Sequence, residues 1–187
     1  MNTIAQNKEH LNNLIKTEID LHGYHCNLNH IDTSLITDMS FLFSNSQFNG
    51  DISQWDTSNV KNMNYMFQRS IFDGDISTWN VSNVENMRNM FFKSCFNREL
   101  SSWNVPKVHD MYKMFSHSQF NGNTSEWNVS NIKDINYMFE KCKAPIPHWF
   151  MINNLQELTN FIEIYEQKTQ LENLLHKLDE PSSTIKI

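Results

Sequence analysis

Apolar residues recur along most of this chain with a period of 24. Tryptophan makes the register visible: Trp55, Trp79, Trp103 and Trp127 fall 24 residues apart. Other columns keep step. One reads Ile36, Val60, Val84, Val108 and Ile132; the next reads Met39, Met63, Met87, Met111 and Ile135. Leu42, Met66, Met90, Met114 and Met138 follow, then Phe43, Phe67, Phe91, Phe115 and Phe139. A last aromatic column, Phe48, Phe72, Phe96 and Phe120, ends in Ala144. No insertion or deletion breaks the register from Asp32 to Cys142. Such a period marks an array whose units bury their apolar faces against one another.

Within one unit, Val60, Met63, Met66 and Phe67 sit at i, i+3, i+6 and i+7, one face of a helix of about three turns. The preceding Ser58 and Asn59, or Ser82 and Asn83, offer an N-cap. "FNGD" and its variants should end that helix, with Gly50, Gly74 and Gly122 in a positive-φ turn. Arg98 shares their column. Ile52, Ile76 and Leu100 lie three residues before each Trp, which predicts a short extended segment with a bend. Each unit is then an α/β repeat. Strands stack about 4.8 Å apart and helices roughly 8–10 Å, so the stack should curve, with helices outside and a concave strip inside.

The stretch "FNGDISQWDTSNVKNMNYMF", residues 48–67, carries the whole pattern. It resembles the repeats of the BspA-like leucine-rich-repeat surface proteins, also described as mycoplasma lipoprotein-associated repeats. The resemblance covers roughly Cys26 to Cys142. It implies an LRR-like right-handed β/α solenoid, and arrays of that kind need N- and C-terminal caps. Residues 1–31 are expected to form a cap helix, from about Asn7 to Lys16 with Leu11, Leu14 and Ile15 inward, and a half-repeat in which Ile31 stands for Trp. Residues 32–142 form the repeats. Residues 143–187 form a truncated unit, with Trp149 two residues short of register, and a helical cap. In that cap Leu158, Phe161, Ile162 and Tyr165 share one face, and Leu171, Leu174, Leu175 and Leu178 another. The second face is a candidate for self-association.

Charge narrows the partners. The net charge of −6 gives no electrostatic footprint for nucleic acid. No apolar run approaches a membrane span, and the polar N-terminus has no signal-peptide core, so a cytoplasmic location is expected over a surface one. Cys26, Cys95 and Cys142 are too few and too far apart for a disulfide framework and read as reduced thiols. His22, His25, Cys26 and His30 are metal-compatible types in a spacing that fits no standard finger. No metal or cofactor is expected. His109-Asp110 and Ser116-His117 fall in ordinary repeat columns, and no triad or phosphate loop accompanies them. The expectation is therefore not an enzyme.

Polar columns read as ties. Asp56, Asn80, Asn104 and Asn128 follow each Trp, and Asn49, Asp73, Asn97 and Asn121 follow each Phe. Asx side chains in such places bond nearby backbone N–H groups. Recognition is left to positions that vary. Arg69, Lys93, His117 and Lys141 form a basic ladder, suited to helix ends by the dipole. Asp51, Asp75 and Glu99 form an acidic ladder, and Gln54, Thr78, Ser102 and Glu126 precede each Trp. These residues are expected to bind another protein from the concave strip and its rim. The chain then reads as a non-enzymatic protein–protein interaction scaffold, an intracellular adaptor or inhibitor of bacterial or phage source. A surface adhesin and an acidic nucleic-acid mimic are the alternatives.

Overall fold

A computed structural model describes residues 3–153 and Gln170. Its regular elements are β1 (Thr3–Ile4), α1 (Lys8–His22), β2 (Ile31–Asp32) and α2 (His148–Asn153). β1 pairs with β2 in parallel, Thr3 opposite Ile31 and Ile4 opposite Asp32. The α/β repeat is overturned by this content, and with it the LRR-like right-handed β/α solenoid with helical caps. Both helices of the described residues lie outside the repeats, and the one sheet has two short strands. Both apolar faces of the expected C-terminal helix, Leu158 to Tyr165 and Leu171 to Leu178, lie outside the described residues.

What repeats is a coil of β-turns. In the unit from Ile52 to Ser70, the amides of Trp55, Val60, Met66, Gln68 and Ser70 each bond the carbonyl three residues back. The next unit repeats the set at Trp79, Val84, Met90, Phe92 and Ser94. The bend expected before each Trp is the first of these turns, Trp55 N–H to Ile52 O at 3.2 Å. The intervening amides leave the coil. Met63, Tyr65, Phe67 and Arg69 donate to Asn86, Arg88, Met90 and Phe92 of the next coil, at 2.8 to 2.9 Å. Lys61 donates the other way, to Thr37 at 2.8 Å.

This pattern explains why no helix forms. Direct backbone bonding between coils requires a spacing of about 4.8 Å, half of what a helix needs. A helix would also consume every amide internally. The three-residue apolar spacing of Val60, Met63 and Met66 is equally the spacing of consecutive turns that each point one side chain inward. All three are fully buried. With no helix on one edge, the mismatch that would curve the stack is absent, and the expected concave strip loses its basis.

Alternate donation requires a special backbone. Two positions per coil adopt the left-handed conformation, at Phe41 and Asn45, then at each 24-residue step to Tyr137 and Lys141, with φ between 51° and 63°. None of these residues is glycine. Gly50, Gly74 and Gly122 do not take positive φ; among the described glycines only Gly23 does. A Cβ on Gly50 would lie 2.0 Å from the Cys26 carbonyl oxygen, and one on Gly74 would lie 2.7 Å from the Phe72 ring. Those glycines leave room for the phenylalanine two residues earlier to fold back over the chain.

The core is a set of ladders. Phe43, Phe67, Phe91, Phe115 and Phe139 stack with centroids 5.5 to 5.8 Å apart. Phe48, Phe72, Phe96 and Phe120 stack at 6.2 to 6.4 Å. Each buried Phe contributes roughly 1.5–3 kcal/mol of apolar transfer. The four repeat tryptophans are buried, and each donates its indole N–H to a carbonyl of the preceding coil: Trp55 to Leu28, Trp79 to Ile52, Trp103 to Ile76 and Trp127 to Leu100, at 2.9 to 3.1 Å. Trp149, two residues early in sequence, still reaches the next carbonyl of that column, Thr124, at 2.8 Å.

The polar columns divide into local and inter-coil ties. Asp56, Asn80 and Asn128 accept the amide two residues on, from Ser58, Ser82 and Ser130. Asn104 makes no such bond because Pro106 has no N–H. Asn49, Asp73 and Asn97 act between coils, accepting the amides of Asp73, Asn97 and Asn121 at 2.8 to 2.9 Å. The presumed N-cap residues also join coils: Asn59 and Asn83 donate their side-chain amides to the Ser34 and Ser58 carbonyls.

At the N-terminal end Asn7 caps α1 by accepting the His10 amide at 2.9 Å. Leu11 and Ile15 are buried and Leu14 packs against the same core. Lys8 ties the helix to the first coil through Asp38, at 3.1 Å, and Ser40.

Candidate interaction face

The strip beside the tryptophans is exposed, but its side chains are partly spent. The Thr78 hydroxyl donates to the Ser53 carbonyl at 3.2 Å, and the Ser102 hydroxyl to Ser77 at 2.8 Å. Asp51 accepts the Ser53 amide and the Asn27 side-chain amide, and Asp75 accepts the Ser77 amide. Those backbone N–H groups hold both carboxyls below the ordinary carboxylate range. Gln54, Glu99 and Glu126 are exposed. These positions mostly hold coils and turns together.

The basic ladder does not stand at helix ends. Arg69, Lys93, His117 and Lys141 each occupy the second left-handed position of a coil, with φ of 51°, 56°, 58° and 52°. Their amides, down to His117, bond the next coil, which turns their side chains outward. Arg69, Lys93 and Lys141 are exposed.

The first left-handed position holds residues that the repeat pattern did not single out. They are Phe41, Tyr65, Asn89, Lys113 and Tyr137. A bulky residue in this conformation is uncommon. Phe41 is 52% exposed and Tyr137 44%. The Phe41 ring stacks on Tyr65 at 4.7 Å. Further along, Arg88 lies 4.0 Å over the Tyr112 ring, and Lys113 reaches Tyr112 at 5.3 Å and Tyr137 at 5.1 Å. Lys93 sits over Phe92 at 5.2 Å. The outer edge of the turns is thus a face of interleaved rings and cations. Its sequence signal was the aromatic bias of an off-core column, visible only once the turns are known.

The residues with catalytic or metal-binding chemistry are arranged otherwise. Ser116 lies between His117 Nδ1, at 2.9 Å, and Glu140, to which it donates at 3.1 Å. In a nucleophilic triad the imidazole stands between the other two. Ser116 is also fully buried. Asp110 is committed to the Tyr112 amide and to Arg88, while neighbouring His109 lines an open depression of about 350 Å³ with Glu85, Lys107, Asn131 and Lys133. His22 and His30 both approach Glu18, at 3.7 and 3.4 Å, while His25 meets the Asn49 carbonyl at 3.2 Å. Cys26 is buried, which pushes its thiol up. Among the described residues no three such side chains are placed to share a metal ion. No helix among them is long and apolar enough to cross a membrane.

Comparison with known families finds two overlapping matches, over residues 9–118 and 72–178, to the family described as Mycoplasma protein of unknown function, DUF285. The chain belongs to this family. Neither a curated protein nor a solved structure matches. Both DUF285 matches include coils of the stack.

Proposed function

We propose that the chain is a non-enzymatic protein-binding module that presents its turn face, not the strip beside the tryptophans, to a partner protein. One observation supports this reading: Phe41, Tyr65, Arg88, Tyr112, Lys113 and Tyr137 line up on backbone bonded to its neighbouring coils. Tyr and Arg are enriched in binding hot spots, Tyr because a rigid ring buries much area at low rotamer cost and Arg because its planar guanidinium stacks on rings and donates several hydrogen bonds. Left-handed backbone strains bulky side chains by about 1–2 kcal/mol, so aromatic residues there are held at a cost to the fold. The module serves as an intracellular adaptor or as an inhibitor that occludes its target. Kinship with the BspA-like repeat proteins belongs to this proposal, and with it the alternative of a surface adhesin. Outward cations on the face speak against nucleic-acid mimicry.

The test is site-specific photo-crosslinking in the native host. Benzoylphenylalanine at Tyr65 or Tyr137 should give a discrete protein adduct, and the same group at Gln54 or Thr78 should not. Adducts from the strip alone, or from neither place, would sink the reading.

A further inference from the structure

We infer that the partner segment received by the turn face is acidic: an extended, Asp/Glu-rich stretch held by Arg69, Lys93, Lys113 and Lys141. The inference rests on the protein-binding reading above and specifies its chemistry. The chain as a whole carries a charge of −6, yet this face is inverted. Its carboxylates are turned to internal work. Asp38 pairs with Lys8 at 3.1 Å. Asp110 and Asp134 share Arg88, at 3.4 and 3.5 Å, and each also accepts the amide two residues on. Glu140 accepts the Ser116 hydroxyl. No carboxylate of the described residues pairs with Arg69, Lys93, Lys113 or Lys141. What faces outward is therefore unneutralised positive charge.

Spacing selects the shape of the ligand. Arg69 and Lys141 lie three coils apart, about 14 Å at strand spacing. On an extended peptide, alternate side chains are about 6.8 Å apart, so three alternating carboxylates span the same length. The rings of Tyr112 and Tyr137 flank Lys113, and the Phe92 ring lies beside Lys93; these rings would cover the peptide between its charges. Displacing water there strengthens each ion pair, which exposed alone contributes little. A nucleic acid meets only a few phosphates over that length, while the negative remainder of the molecule repels its flanks.

The experiment is fluorescence anisotropy with the full chain and three labelled probes. These are a peptide of alternating Glu and Ser, the same peptide with Lys for Glu, and an oligothymidine of equal length. The Glu–Ser peptide should bind saturably, weaken as salt rises, and bind about tenfold more weakly to Arg69→Glu/Lys141→Glu. Glu99→Lys/Glu126→Lys, exposed on the strip beside the tryptophans, should not weaken it. Unchanged urea midpoints in both variants establish that the fold is kept. No binding of the Glu–Ser peptide, equal binding by the Arg69/Lys141 variant, or tighter binding of oligothymidine would each overturn the inference. Crosslinks at Tyr65 and Tyr137 would persist in those cases, so the protein-binding reading would stand without it; their loss would remove both.

Discussion

Replacing Arg69 or Lys141 with glycine should stabilise the protein. Both residues hold left-handed backbone, with φ of 51° and 52°. That conformation costs a residue with a Cβ about 1–2 kcal/mol. Glycine is relieved of it and loses roughly 0.5–1 kcal/mol through its greater freedom in the unfolded chain. The balance favours glycine by about 0.5–1 kcal/mol per site. Little else is lost, because both side chains are exposed and neither forms an ion pair with the described residues. Lys93 is a poorer choice, since its ammonium lies 5.2 Å over the Phe92 ring. Urea unfolding at constant m-value is the assay, and a chain of this size should gain roughly 2–4 °C in Tm per kcal/mol. The two sites are about 14 Å apart by coil spacing and should add. In a helix the same substitutions would cost about 1 kcal/mol each. A loss of that size at both sites would refute the turn assignment.

Three further outcomes follow from the packing. Gly50→Ala should cost about 1–3 kcal/mol, more than Gly74→Ala, because a Cβ there meets the Cys26 carbonyl as well as a ring; equal urea midpoints for the two variants would contradict the close-approach role. Asp51 and Asp75 have folded pKa values depressed by backbone N–H groups, so their stabilisation is complete above about pH 4 and lost as pH falls through the folded values. Asn accepts the same bond without titrating, as Asn80 does, so Asp51→Asn/Asp75→Asn should lose less stability than the natural chain between about pH 5 and 3 by urea midpoint. An aromatic disulfide reagent should label Cys95 quickly in the folded protein and Cys26 and Cys142 only slowly, because the first is exposed and burial raises the other two thiols; fast labelling of all three would refute it.

The columns of the core were legible in sequence because burial demands apolar residues at a fixed period, and the ladders of Trp55, Phe43 and Phe48 follow that register. The tie by Asp56 and Asn80 was legible for the same reason: an Asx side chain before an amide has few other uses. The element type was not. Val60, Met63, Met66 and Phe67 satisfy a helix and a run of turns equally well, and the left-handed positions carry Phe, Tyr, Lys, Arg and His in place of the glycine that would have marked them. Gly50 and Gly74 pointed the wrong way, since close approach of a ring selects glycine as strongly as positive φ does. The basic ladder was found, but its setting was misread. The column of Phe41, Tyr65 and Tyr137 is interrupted by Asn89 and Lys113, so no aromatic period marked it in the sequence, and the left-handed turns are what bring it into view.

Each coil is bonded to the next where a helix would bond to itself. Hydrogen-bond scalar coupling in a labelled sample reads this directly. The Met63 amide nitrogen should couple to the carbonyl carbon of Asn86, its partner at 2.9 Å in the next coil. Coupling to the carbonyl of Asn59, four residues back as in a helix, would contradict the account.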